Sequence, residues 1–199
     1  MNTDDYFYEL RLEPTQIDAV RHIYNEYIQY QSTPSTGWNT LHNNVTGLTD
    51  ILQKNDILSD LVPFLSDTGI ELSTLPLSSS RIHIDQIVPT NDHTVLRKSI
   101  RNIAINFPIR MCHSVTSFYD NPPLTYTTGV NSIAQYLTVP YPICSFHMGE
   151  QAVLFNTRVF HSVKNLSSTE TRTILSFSFD IKYSMFDCIE IMKRLGYAE

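Results

Sequence analysis

Apolar residues near the N-terminus recur at three- and four-residue spacing: Ile17, Val20, Ile23, Tyr24, Tyr27 and Ile28. That period predicts an amphipathic helix. Pro14 suits its first turn, and the polar, turn-rich residues 32–37 predict its end near Gln31. Ahead of it, residues 6–12 alternate and are rich in aromatics, which predicts a short strand. Leu48, Ile51, Leu52, Ile57 and Leu58 predict a second helix over about 46–61, limited by Pro63. Trp38, the only tryptophan, falls between the two helices and reads as a packing anchor. From residue 70 the texture changes to short strand-like runs broken by Pro, Asn, Asp and Ser clusters. Strands are expected near 70–76, 81–88, 101–109, 114–119, 143–148, 151–156, 158–164 and 172–181. Residues 184–195, with Met185, Ile189, Met192 and Leu195, predict a closing helix. Eight short strands with helices at both ends predict a mainly β protein. Its core is expected to be a double-stranded β-helix of jelly-roll or cupin-like type.

Alternation within two of the strands says more than their number. In residues 101–109, Ile103, Ile105, Phe107 and Ile109 share one face, and Asn102, Ala104, Asn106 and Pro108 the other. In residues 172–180, Thr173, Leu175, Phe177 and Phe179 oppose Arg172, Ile174, Ser176 and Ser178. Side chains of a strand alternate between its faces, so each strand has one apolar and one mostly polar face. A polar face often meets water in antiparallel sheets. Here helices are available to cover the apolar face, so the polar face is expected to line the barrel interior.

Composition narrows the classes. The 199 residues suit a single domain: an N-terminal strand and helices (1–69), a jelly-roll core (70–181) and a C-terminal helix (182–199). Hydrophobic residues make up 42% and charged residues 17%, which fits a globular chain rather than a disordered one. A net charge of −6 argues against a nucleic-acid partner. No apolar run has the length of a membrane span. The acidic N-terminus lacks an apolar signal core, and Cys112, Cys144 and Cys188 are few and scattered. Together these predict free thiols and an intracellular, cytoplasmic protein.

The candidate chemistry begins at Arg81-Ile82-His83-Ile84-Asp85. On a strand, His83 and Asp85 project from one face about 6–7 Å apart. They supply two of the three ligands of a 2-His-1-carboxylate triad, a donor set suited to non-haem Fe(II). His161 would supply the third ligand, and Arg172 follows eleven positions later at the start of the next strand. Three ligands on one face of an octahedral ion leave three cis positions, two for a chelating 2-oxo acid and one for O2. The far carboxylate of 2-oxoglutarate then needs a fixed cation with fork geometry, which arginine provides. Ser176, on the same strand face as Arg172, is a further candidate for holding that carboxylate.

The order His-x-Asp, a long gap, His, ten residues and Arg resembles the Fe(II)- and 2-oxoglutarate-dependent oxygenase superfamily. Arg81-Ile82-His83-Ile84-Asp85, Ile103-Ala104-Ile105-Asn106-Phe107-Pro108-Ile109 and Cys112-His113-Ser114-Val115-Thr116-Ser117-Phe118-Tyr119 are similar to small oxygenases of phages and marine microbes. The resemblance covers residues 80–181. It implies that His83, Asp85 and His161 bind Fe(II), that Arg172 holds the distal carboxylate of 2-oxoglutarate, and that Asn106 lines the co-substrate pocket. Gln86 stands where many members place a small residue such as glycine. The implied activity is hydroxylation with decarboxylation of 2-oxoglutarate to succinate. Similarity to aspartyl and prolyl hydroxylase-type barrels favours a protein side chain or an amino-acid-like substrate. The sequence leaves the substrate and the oligomeric state open.

Other residues compete for these roles. His93, His113 and His147 are alternative ligands, and strand parity points His147 inward beside Ser145. Arg101 and Arg110 are candidate contacts for an acidic group. Tyr119, Tyr126, Tyr136 and Tyr141 are candidates for the pocket rim, and residues 89–98 and 121–135 for a lid. Two other readings stand beside the oxygenase: a non-catalytic cupin-like protein that binds metal or ligand, and a Zn- or Mn-dependent isomerase or hydrolase on the same barrel.

Overall fold

The computed structural model describes residues 3–28, 35–37, 40–80, 82, 102–120, 124–126, 134–136 and 141–199. Its main sheet has seven antiparallel strands. Their spatial order is β1 (Phe7–Glu9), β10 (Val153–Asn156), β5 (Ile103–Arg110), β12 (Arg172–Phe179), β4 (Leu65–Thr74), β3 (Thr40–Thr46) and β2 (Ser35–Gly37). A smaller sheet orders β11 (Phe160–Asn165), β6 (Ser114–Tyr119) and β9 (Cys144–Phe146). The hairpin of β7 (Leu124–Tyr126) and β8 (Ala134–Tyr136) falls, except for Tyr136, within the expected lid residues 121–135. The protein is mainly β, with the antiparallel sheets and flanking helices expected of a jelly roll.

The helices cover one face of the main sheet. Helix α1 (Pro14–Ile23) buries Ile17, Val20 and Ile23, and its chain continues as a π-type turn through Ile28. Helix α2 (Leu48–Lys54) buries Leu48 and Leu52, and α3 (Met185–Arg194) buries Met185, Cys188, Ile189, Ile191 and Met192. These side chains form one cluster with Ile103, Ile105, Phe107, Leu154, Leu175, Phe177 and Phe179. It is the apolar face read from the sequence. Full burial of such side chains contributes about 1.5–3 kcal/mol each, so this cluster is the main source of stability. Gly69 of β4 makes room for α2, since a Cβ there would lie 2.6 Å from Leu48 Cδ2. Helix α3 starts on a capping box, with Ser184 Oγ accepting from Asp187 N–H at 3.2 Å and Asp187 Oδ2 accepting from Ser184 N–H at 2.9 Å. It ends at Gly196, whose φ of +81° lets the chain turn back under Met192.

Several expectations are corrected. The second helix stops at Lys54 because Asp56 and Leu58 both take left-handed φ, 52° and 50°. Residues 35–37, read as part of a turn-rich stretch, form β2, and residues 40–46, for which no strand was expected, form β3, which pairs over its whole length with β4, Thr40 to Thr46 against Thr74 to Thr68. Asn43 and Asn44 give β3 poor strand propensity, and pairing with β4 overrides it. Strand β4 begins at Leu65 rather than near 70, and β1 is confined to Phe7–Glu9. Pro108 lies inside the central strand β5, where proline is normally excluded. Here the β5–β12 register shifts between Thr173 and Ile174, so a bulge accommodates it. The strand expected over 81–88 lies outside the described residues apart from Ile82. Among the described residues no helix is long and apolar enough to cross a membrane.

Candidate active site

Register assembles the inner face of the main sheet row by row. Phe155 pairs Ala104, and Ala104 pairs Ser178. The next row runs Val153, Asn106, Ser176 and Ile70. Then come Pro108, Ile174 and Leu72, and last Arg172 beside Thr74. Directly paired residues share a face, so Asn106, Ser176, Ser178 and Arg172 point the same way. All four are buried. The polar face therefore lines the interior and does not meet water, as its parity and the helical cover predicted.

The small sheet closes over this face with rows His161–Phe118–Cys144 and Val163–Thr116–Phe146, followed by Asn165–Ser114. His161 is 3% exposed. Its ring meets Phe155 of the main sheet edge-on, centroids 4.8 Å apart, and Phe118 of its own sheet at 6.2 Å. The imidazole thus sits between the sheets. Its Nδ1 lies 2.8 Å from the Val159 carbonyl oxygen. A carbonyl only accepts, so Nδ1 carries the proton and Nε2 holds the lone pair in the neutral ring. That is the tautomer and the backbone support a metal-binding histidine uses.

Arg172 opens β12 from the opposite end of the polar face and is 3% exposed. Nη2 donates to the thioether sulfur of Met148 at 3.5 Å, and Nε is buried with no partner. Among the described residues no carboxylate pairs with it. Burial pushes its pKa down to about 10, and the nearby Cys112 acts weakly in the other direction. The group is still a cation at neutral pH. Nε and Nη2 form one edge of the guanidinium, the edge that grips both oxygens of a carboxylate. Among the described residues that edge has only a weak sulfur acceptor, so its chemistry fits a bound carboxylate.

Two side chains that sequence reasoning passed over set this geometry. Met148 packs with Val153 and Ile174 against the arginine; a lone methionine at a strand end gives no signal in a sequence. Asn165 is fully buried at the end of β11. Its Nδ2 donates to the carbonyls of Thr74 and Glu170, and its Oδ1 accepts from Ser167 N–H and the Cys112 thiol. It ties the end of β11 to the partner of Arg172 in β4. The signal was its place between a strand and the Ser-rich turn after it. Within the polar row, the Ser176 hydroxyl donates to Asn106 Oδ1 at 2.5 Å.

The structure thus brings four of the six expected site residues, His161, Arg172, Asn106 and Ser176, into one interior. His83 and Asp85 lie outside the described residues, as do His93 and Arg101. Among the described residues no three His, Cys, Asp or Glu side chains come together. The inward reading of His147 is overturned. It is exposed, stacks on His113 with centroids 5.3 Å apart, and its Nδ1 meets the Ser114 carbonyl at 3.0 Å. Arg110 is exposed at the end of β5, and Tyr141 is exposed as well. Tyr119 is half-buried and bonds Ser162. All three cysteines are free.

No protein-family model and no curated protein matches the sequence. Solved structures match its fold. A prolyl-4-hydroxylase of Pseudomonas putida is 11% identical with a TM-score of 0.51, over 88% of this chain and 92% of that one. The non-heme alpha-ketoglutarate-dependent carbocyclase SnoK of nogalamycin biosynthesis is 11% identical with a TM-score of 0.52, over 89% of this chain and 80% of that one. HygX of Streptomyces hygroscopicus, solved with nickel and 2-oxoglutarate bound, is 11% identical with a TM-score of 0.50, over 91% of this chain and 85% of that one. At such identities the likeness is one of fold.

Proposed function

We propose that this chain, which has the fold of the Fe(II)- and 2-oxoglutarate-dependent oxygenases, is itself a 2-oxoglutarate-dependent dioxygenase acting as a single domain. One oxygen atom of O2 enters succinate as 2-oxoglutarate loses CO2, and the other enters the substrate as a hydroxyl group. The proposed substrate is a protein side chain or an amino-acid-like molecule. The prolyl-4-hydroxylase similarity supports that class.

The observation that carries the reading is the edge of Arg172, buried and without a counter-charge among the described residues. A cation held away from water costs several kcal/mol unless a counter-charge meets it. A ligand carboxylate on that edge would supply one. His83, Asp85 and His161 are assigned to hold Fe(II), with Val159 fixing the His161 tautomer. Bound iron supplies the redox chemistry that couples loss of CO2 to hydroxylation. The protein's own part is to orient the co-substrate between His161 and Arg172 and to keep water out. Phe118, Phe155 and Val153 form the apolar walls that do this.

The test is succinate formation by the full chain with Fe(II), ascorbate and 2-oxoglutarate. His83→Ala and Asp85→Ala are expected to lose it, and full turnover in both would remove the reading. Calorimetric binding of 2-oxoglutarate without succinate would identify the non-catalytic binding protein instead.

A further inference from the structure

The Ser176 hydroxyl was a candidate ligand for a carboxylate, yet its proton is directed elsewhere. Ser176 is fully buried, and its Oγ donates to Asn106 Oδ1 at 2.5 Å, across the directly paired row of β12 and β5. A hydroxyl has one proton. With that proton on Asn106 Oδ1, it has none for a ligand.

The consequence falls on Asn106. A carboxamide carries its acceptor and its donors on opposite sides. Pinning Oδ1 to Ser176 turns Nδ2 away from β12. Among the described residues Asn106 bonds only through Oδ1, and Nδ2 has no partner. Val153 flanks Asn106 on the β10 side of the row, and the row faces the interior that also holds His161 and Arg172. Without the serine proton, the amide would be free to flip and present an acceptor instead.

We propose that Ser176 is a positioning residue that locks the Asn106 amide so that Nδ2 donates to an acceptor oxygen of the ligand in this interior. This rests on the reading that 2-oxoglutarate binds there. The ligand group is a carboxylate or carbonyl oxygen, and Ser176 acts on it only through Asn106.

The test is calorimetric titration of 2-oxoglutarate into the full chain supplemented with Mn(II). Ser176→Thr and Ser176→Val share a shape, so any packing cost is common to both, and only Thr keeps the hydroxyl. Val is expected to bind about five- to tenfold more weakly than Thr, the size of one orienting hydrogen bond. Asn106→Ala is expected to weaken binding at least as much. The double variant Ser176→Val/Asn106→Ala is expected to be no worse than Asn106→Ala alone. In a 15N–1H spectrum, the Asn106 side-chain amide pair should shift on adding 2-oxoglutarate to wild type and to Ser176→Thr. Equal affinities for Thr and Val would overturn the proposal. Additive losses in the double variant would also overturn it, because Ser176 would then touch the ligand itself. Arg172→Ala separates the two claims. If it binds as wild type does, the co-substrate reading fails. If it loses binding while Val matches Thr, only the positioning role fails.

Discussion

Replacing Arg172 by methionine is expected to stabilise the ligand-free protein and to abolish its response to 2-oxoglutarate. The side chain is 3% exposed, Nε is unpaired among the described residues, and Nη2 has only the Met148 sulfur. Burial lowers the pKa from its ordinary value to about 10. At 1.36 kcal/mol per pKa unit, that drop places a penalty of about 3 kcal/mol on the charged form. The lowered pKa of a base means that the fold disfavours the cation. The penalty is therefore present in full below about pH 10 and is relieved only as pH rises from there toward the ordinary arginine value. Methionine keeps an unbranched stem beside Met148, Val153 and Ile174 and removes the charge. Imperfect repacking costs roughly 1 kcal/mol, which leaves a gain of about 2 kcal/mol. For a chain of this size the melting temperature should rise by about 4–8 °C at pH 7.5. Wild type with metal and 2-oxoglutarate at a hundred times Kd gains about 2.7 kcal/mol from binding, and the variant gains none. Scanning calorimetry with and without 2-oxoglutarate reads both effects. A variant that melts below ligand-free wild type would refute the reasoning, since the guanidinium would then be satisfied within the fold. A variant that still responds to 2-oxoglutarate would refute it equally.

Affinity for 2-oxoglutarate, measured by titration across pH, should hold steady from pH 7 to about 9. It should fall as pH passes about 10, because Arg172 loses its proton there in the free protein. Bound carboxylate favours the cation, so binding near pH 10 should take up protons from the buffer. His161→Ala is expected to lose succinate formation and metal-dependent thermal stabilisation, while His113→Ala, on the outer surface, should keep both. Leu77 is 71% exposed and holds a φ of 53°, a left-handed geometry that costs a leucine about 1–2 kcal/mol and asparagine less. Leu77→Asn should raise chemical-denaturation stability by about 0.5–1 kcal/mol without altering 2-oxoglutarate binding.

What could be read from the sequence followed how local its physical cause was. The apolar face of β5 and β12 was legible because alternation is written into each strand, and both strands occur close to their expected bounds. Helix α3 was legible from its period alone. Strands β2 and β3 were not, because Ser, Thr and Asn residues with turn propensity are held extended by pairing, β3 by β4, a partner more than twenty residues away in sequence, and β2 by β3 in turn. The length of α2 was missed because Ile57 and Leu58 continue the apolar pattern while Asp56 and Leu58 turn the backbone left-handed.

At the candidate site the same division is sharper. Parity alone put Arg172, Ser176 and Asn106 on polar faces but could not say whether water or protein met them. Water would have made Arg172 an ordinary surface cation. Helices on one side and the small sheet on the other bury it, and burial turns an unremarkable residue into a charge that is unpaired among the described residues and calls for an anion. The hydrogen bond from Ser176 to Asn106 crosses between strands seventy residues apart, and its direction depends on register that no single strand encodes. A sequence can therefore nominate the side chains of such an interior, but the roles among them follow from which proton faces which oxygen. For Ser176 that distinction changes the expectation from touching the ligand to aiming the residue that does.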